Sequence, residues 1–333
     1  MSAVPEGDSQ TLVSAPPTEL EDDPQELDDL VNRYGFSLQE ALLFLRIRNR
    51  GHEPLMPAHW QVDFGTMPDS LFFDAEVANE VGHIDSITLD GTFSATNAFR
   101  GLVGLGCIVR GKMEAKKDPE DRILAEIRKY VRWSVEDVKK HLPGNNDIYP
   151  RVVLVGSYGK GSVHCENKMH RKLSDLRRIV LRESAHLRDA PLSPNAPAST
   201  PLTTSSTIYG IAVAGPVVAL VTMHCTPEAD PQGTKIKTMV TLDFSDTMMD
   251  FWNAVAVALL VIAAREDELE RTEFYKGHDI KPFDIHNIED GDWDEVRRGW
   301  EKTPLKSGRR ESVGPLGWSP LRAVDDDEDD PDA

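Results

Sequence analysis

The sequence predicts an α/β fold: a mixed central sheet flanked by helices, with disordered acidic termini. Three observations carry that expectation. Apolar and polar residues alternate in several short runs, the period of a strand. Between those runs apolar residues recur every three or four positions, the period of a helix. Val152–Val155 is wholly apolar, the composition of a strand covered on both faces. Strands interleaved with helices make an α/β architecture.

Taken in order, Ser37 reads as the N-cap of a short helix, with Gln39 and Glu40 following, then Leu42, Leu43, Leu45 and Ile47. Pro54, Pro57 and Pro68 make residues 51–70 irregular. Ser70–Val81 has helical spacing, with Leu71, Phe72, Ala75 and Ala78 on one side. Ile84–Asp90 reads as a strand. Leu102–Lys116 reads as a long or bent strand, with Gly101, Gly104 and Gly106 marking a turn or bulge at its start. Pro119 suits the first turn of a helix running to about His141, which Leu142-Pro-Gly-Asn-Asn146 ends. Val152–Val155 is expected to pair with Leu102–Lys116 near the sheet centre. A basic helix spans Glu166–Arg182, and Ala190–Ser206 is rich in Pro, Ser and Thr. Strands follow at Ile208–Val213, Val217–Met223 and Ile236–Phe244. Ser245 then caps a long apolar helix, Thr247–Glu270. Trp293, Trp300 and Trp318 are the anchors expected of an otherwise irregular 276–324.

Charge divides the chain. The net charge is -19, yet residues 1–30 hold nine acids and no Lys or Arg, and Asp325–Asp332 holds seven more acids. Such runs are typically solvated and disordered. The expected organisation is a disordered acidic segment at 1–30 and one α/β domain at 31–275 with a flexible insertion at 185–206. An irregular extension at 276–324 and an acidic tail at 325–333 complete it. Residues 100–188 are basic, with 20 Lys or Arg against 11 Asp or Glu. A basic body with acidic tails fits a nucleic-acid binder that screens its own surface, and equally a patchy soluble protein. Lys168, Arg171, Lys172, Arg177 and Arg178, with Arg182, cover one broad face of the basic helix. Each phosphate met there would displace a counterion.

Cys107, Cys165 and Cys225 are odd in number and widely spaced, against a disulfide scaffold. A reducing compartment, cytoplasmic or nuclear, is expected, with Cys107 in the core. No basic segment followed by an apolar run opens the sequence, so no secretory signal is expected. The longest apolar runs, Ile208–Met223 and Ala254–Ala264, are shorter than the roughly 20 residues a span needs, so no membrane partner is expected.

The densest chemistry lies around Arg110–Lys117. If Leu102–Lys116 is a strand, Val103, Leu105, Cys107, Val109, Met113 and Ala115 share one face, and Arg110, Lys112, Glu114 and Lys116 the other. Glu114 and Lys116 then stand about 7 Å apart on one face. An acid and a lysine so placed can hold a divalent cation and steady an attacking water. Asp90 would supply a second carboxylate, since hard cations take oxygen ligands. Asp85 is a rival for that role. Glu126 and Tyr130, four apart on the next helix, share a face.

Asp90, Glu114-Ala-Lys116 and Glu126-x-x-x-Tyr130 together resemble the PD-(D/E)XK nuclease superfamily, whose recombination-nuclease branch carries Gln-x-x-x-Tyr on the helix after the catalytic strand. The resemblance implies a restriction-endonuclease-like core over residues 70–156, in the order helix, three strands, helix, strand. It implies Asp90 and Glu114 as ligands of magnesium or manganese, and Lys116 as the group that positions water or stabilises the developing negative charge. Glu126 and Tyr130 complete the implied catalytic set, and DNA or RNA is the implied substrate of phosphodiester hydrolysis. Leu89 stands where the naming proline would be, and Glu126 where the glutamine would be. A catalytically inactive relative and a non-enzymatic interaction protein remain alternatives. The same residues also admit plainer roles, as solvated faces and, for Asp90 before Gly91, as a turn. Gly156-Ser-Tyr-Gly-Lys-Gly-Ser162 follows a strand but lacks the spacing of a phosphate loop, and reads as a glycine-rich turn. His164, Cys165, His170, His224 and Cys225 lack paired zinc spacing.

Overall fold

The computed structural model describes residues 24–73, 84–87, 91–142, 149, 151–189, 206–225 and 235–277. Its elements are α1 (Pro24–Asp28), a π turn (Asp29–Arg33), α2 (Leu38–Arg48), β1 (Met56–Pro57) and β2 (Phe72–Phe73). Next come α3 (Thr92–Val103), α4 (Leu105–Glu114), α5 (Glu120–His141), β3 (Val152–Gly156) and α6 (Ser162–Asp189). Last are β4 (Ser206–Ala214), β5 (Val217–Cys225), β6 (Lys237–Asp243) and α7 (Asp250–Gly277).

The protein is mixed α/β. Four strands form one sheet in the order β3-β4-β5-β6; β3 runs parallel to β4, and the rest are antiparallel. The parallel step needs a crossover, and α6 supplies it. Alternation along the strands sends side chains to two cores. Val152, Tyr209, Ile211, Val213, Val218 and Leu220 meet α2, α3, α4, α5 and α7 on one face. Val153, Val155, Ile208, Val221 and Met223 meet α6 on the other, through its Cys165, Met169, Leu173, Leu176, Ile179 and Val180. Gly210 of β4 lets α6 approach closely, since a Cβ there would lie 2.6 Å from Val221 Cγ2 and 2.8 Å from Met169 Sδ.

α7 is the central strut. From Phe251 to Arg265 none of its residues is exposed, as expected of a helix apolar all round. α2 begins with a capping box between Ser37 and Glu40. The Glu40 carboxylate also accepts from Thr222 Oγ1 (2.8 Å) and Lys237 Nζ (2.7 Å), tying that helix to β5 and β6. Among the described residues no helix is long and apolar enough to cross a membrane.

Several expectations are corrected. Leu102–Glu114 is helical, the end of α3 and all of α4 joined through Gly104, and Ala115 and Lys116 form the turn that follows. Among the buried residues there and just before, Ala95, Phe99, Leu102, Leu105 and Val109 recur at intervals of three or four. Cys107, Met113 and Ala115, members of the alternating set, are exposed. The glycines serve helix contacts instead of a bulge: a Cβ at Gly101 would meet Glu126 of α5, and one at Gly106 would collide with Asp250 of α7. β3 is an edge of the described sheet, paired with β4 alone.

Ser70–Leu71 belongs to a 3-10 turn followed by β2, and Ile84–Ile87 is not strand. The remainders of those two segments lie outside the described residues. Ser245 does not cap α7; its N–H and hydroxyl both donate to Asp243, and the helix begins at Asp250. Residues 24–30 are helical, α6 continues through Asp189, and α7 extends to Gly277. Those bounds shorten the segments expected to be irregular. Residues 1–23, 190–205 and 278–333 lie outside the described residues.

Candidate functional site

Glu114 is the last residue of α4, and Lys116 lies just beyond it with φ +56°. The Lys116 N–H donates to Met113 C=O at 2.9 Å and the Lys117 N–H to Lys112 C=O at 2.8 Å. This pair of bonds is a Schellman ending, with Lys116 in the left-handed position usually held by glycine. Glu114 and Lys116 therefore do not stand side by side on a strand, and both are exposed. Asp90 lies outside the described residues. Its rival Asp85 accepts the Ser86 N–H at 2.6 Å, and burial raises its carboxyl pKa.

Glu126 and Tyr130 do share a face of α5, but that face is packed. Glu126 pairs with Arg122 at 2.8 Å and Lys129 at 3.7 Å beside Gly101. Tyr130 is fully buried, 5.0 Å from the Trp133 ring centroid and 6.5 Å from that of Phe99. Burial raises its phenol pKa, and its hydroxyl has no hydrogen-bond partner among the described residues. Tyr130 is a core residue. Among the described residues no group of three or more His, Cys, Asp or Glu side chains is arranged to hold a metal ion.

The buried polar groups gather elsewhere. Arg151, just before β3, donates to Glu183 of α6 at 2.9 Å and to Ser206 Oγ at 2.5 Å. Arg271 of α7 bonds both Glu183 and Glu268. Arg151 Nε lies 3.7 Å from Glu268 Oε2, closing a four-membered ring in which Arg and Glu alternate. Tyr149 adds a hydroxyl donated to Glu183 at 3.2 Å. Burial pushes the Glu268 carboxyl up to about 8, against the opposing pull of Arg151. Nearby, Asp137 of α5 accepts from Ser86 Oγ, the Ile87 N–H and Arg265, at 2.6, 2.8 and 3.1 Å. A cavity of about 10 Å³ beside the ring touches Ser134, Tyr149, Val152, Arg265 and Glu268. That is room for one water molecule and too little for a substrate. Perturbed carboxylates often mark active sites, but this ring is buried and closed, each guanidinium set between two carboxyl groups, and it clamps α6 and α7 to the start of β3. One sign of it was present in the sequence: Glu183 falls in step with Leu173, Leu176 and Val180 on the apolar side of α6.

The open surface belongs to α6 and the turn before it. Arg171, Arg178 and Arg182 are exposed, and Lys168, Lys172 and Arg177 half-buried. At roughly 100° per residue, Lys168, Arg171, Arg178 and Arg182 form one outward stripe, with Arg177 on the opposite flank. Arg178 pairs with Asp175 at 2.5 Å within the stripe. The turn after β3 is fixed from below by Glu120, which is buried. Its carboxylate accepts from Ser157 Oγ and the Tyr158 N–H, each at 2.6 Å, and from the Gly215 N–H at 3.4 Å. Tyr158, Gly159 and Gly161 all have positive φ, at +48°, +69° and +84°. The Tyr158 ring stays at the surface, with Lys168 Nζ 4.6 Å from its centroid. Tyr158 was missed in the sequence, where its signal was an aromatic residue set among glycines.

Comparison with family models, with characterised protein sequences and with solved structures finds no match.

Proposed function

We propose that the chain is a nucleic-acid-binding domain, a catalytically inactive relative of the nuclease-like fold, with α6 as its contact surface. The observation that carries this reading is the outward stripe of Lys168, Arg171, Arg178 and Arg182. The opposite side of the same helix is fixed to the sheet, so the stripe is displayed on a rigid element. Lys and Arg so placed neutralise backbone phosphates without reading sequence.

The proposed descent has its own support. The order helix, three strands, helix occurs at α6–β4–β5–β6–α7, downstream of the expected 70–156, and among the described residues no strand follows α7 to complete the expected order. In the resembled superfamily the strand before the second helix carries the acid-x-Lys pair. Here that strand, β6, reads Lys237-Thr-Met-Val-Thr-Leu-Asp243 and has no such pair. With Glu114 and Lys116 closing a helix, binding without hydrolysis is the reading the geometry favours.

Fluorescence anisotropy with labelled DNA and RNA across a salt series tests it. Affinity should fall steeply with salt. Arg171→Glu with Arg178→Glu should weaken binding and flatten the slope, by roughly 0.9 for each duplex phosphate that is no longer neutralised. Substrate incubated with magnesium or manganese should remain intact. Unchanged binding by the doubly reversed variant would remove α6 from the interface.

A further inference from the structure

We infer that Tyr158 is a stacking platform for an unpaired base, so that the site takes single-stranded nucleic acid in preference to duplex. This rests on the assignment of α6 as the phosphate-tracking face. Tyr158 holds φ +48°, a left-handed conformation that is unfavourable for a bulky side chain and easy for glycine. Its neighbours at 159 and 161 are glycines, yet this position carries a phenol ring. Unusual backbone of this kind is a pointer to function when something else agrees with it.

The side chain's setting agrees. Tyr158 is 49% exposed although its ring lies beside Gly156 and has Lys168 over one face, whereas Tyr130 and Tyr209 are buried. Its backbone is clamped, because the N–H donates to the buried Glu120 carboxylate at 2.6 Å. The ring is thus presented on a rigid base, which lowers the ordering cost of binding. Lys168 Nζ, 4.6 Å from the ring centroid, begins the cationic stripe that continues to Arg171 and Arg178. A base stacked on Tyr158 would bring its own phosphate to the head of that stripe. Aromatic platforms beside cationic grooves suit single strands, since bases in a duplex already stack on one another.

The test uses the full chain and two labelled probes of about 15 nucleotides, oligothymidine and a duplex of equal length. Oligothymidine should bind more tightly. Tyr158→Gly should weaken oligothymidine roughly tenfold, leave duplex binding within about twofold, and not lower the melting temperature. Tyr158→Trp should retain single-strand affinity. If the glycine variant proves unstable, the tryptophan variant decides: weakened single-strand binding by a well-folded Tyr158→Trp overturns the inference. If Tyr158→Gly binds oligothymidine as the parent does, stacking is overturned while the phosphate-tracking role of α6 stands. If neither probe binds the parent chain, both readings fall.

Discussion

The Arg151 guanidinium meets the Glu183 carboxylate at 2.9 Å, with neither side chain open to solvent. That contact is one edge of the ring completed by Arg271 and Glu268, and it joins three elements distant in sequence. Removing one member leaves a buried charge without its counter-charge. Glu183→Ala should therefore lower unfolding free energy by about 3–5 kcal/mol, read from urea titration. Replacing all four by apolar residues of similar size should cost much less. A Glu183→Ala loss below about 1 kcal/mol would show that the ring is hydrated in solution.

Glu268 gives the ring a pH signature. Its folded carboxyl is raised to about 8 from an ordinary value of 4.5, with burial the leading cause. The folded state holds that proton more tightly than the unfolded state does. The resulting stabilisation is complete below pH 4.5 and is lost as pH rises through about 8. Comparing denaturation midpoints of the parent and Glu268→Gln across this range isolates the effect: the parent should lose stability relative to the variant. A constant difference between the two would contradict the raised pKa.

Lys116 is the left-handed cap of α4, at φ +56°. Lys116→Gly should raise stability by about 0.5–1 kcal/mol, because glycine enters this conformation without strain. The same change should leave nucleic-acid binding near that of the parent. Calorimetry and anisotropy on one preparation give both results, and a large loss of binding would return Lys116 to the functional surface.

Gly210 sets the distance between α6 and the sheet. A Cβ there would lie 2.6 Å from Val221 and 2.8 Å from Met169. Gly210→Ala should destabilise by about 1–3 kcal/mol through overpacking. Shortening Met169 in the same chain should recover part of that loss, since contacting residues couple. Strict additivity in the double-mutant cycle would mean that the helix shifts and Met169 does not receive the clash.

Much of the fold was legible where a single period dominates. The limits of α5, of β3 and of the strands β4, β5 and β6 lie close to the sequence expectation, and Ser37 caps α2 as expected. Leu102–Lys116 failed because Leu105 and Val109, four apart, satisfy strand alternation and helical spacing alike. What decided between them is tertiary: Gly101 and Gly106 let neighbouring helices approach, and Arg110 pairs with Asp250 at 2.7 Å, 140 residues away. The site inherited that ambiguity, since Glu114 and Lys116 are close partners only on a strand. Glu126 and Tyr130 show a different limit. Their shared face was readable, but whether it met a cleft or a core was not. The basic side of α6 was plain, because its charges and its apolar stripe separate at one helical period.

The position of α7 has a consequence for how the chain is made. This helix comes late in sequence yet supplies the middle of the larger core, touching α2, α3, α4 and α5. Until Asp250–Gly277 leaves the ribosome, one side of the sheet and the inner faces of four helices have nothing to close on. Such long-range dependence slows folding and leaves apolar surface open to aggregation. The nascent chain before Asp250 is thus a natural client for chaperones, and a truncation there should accumulate as insoluble protein.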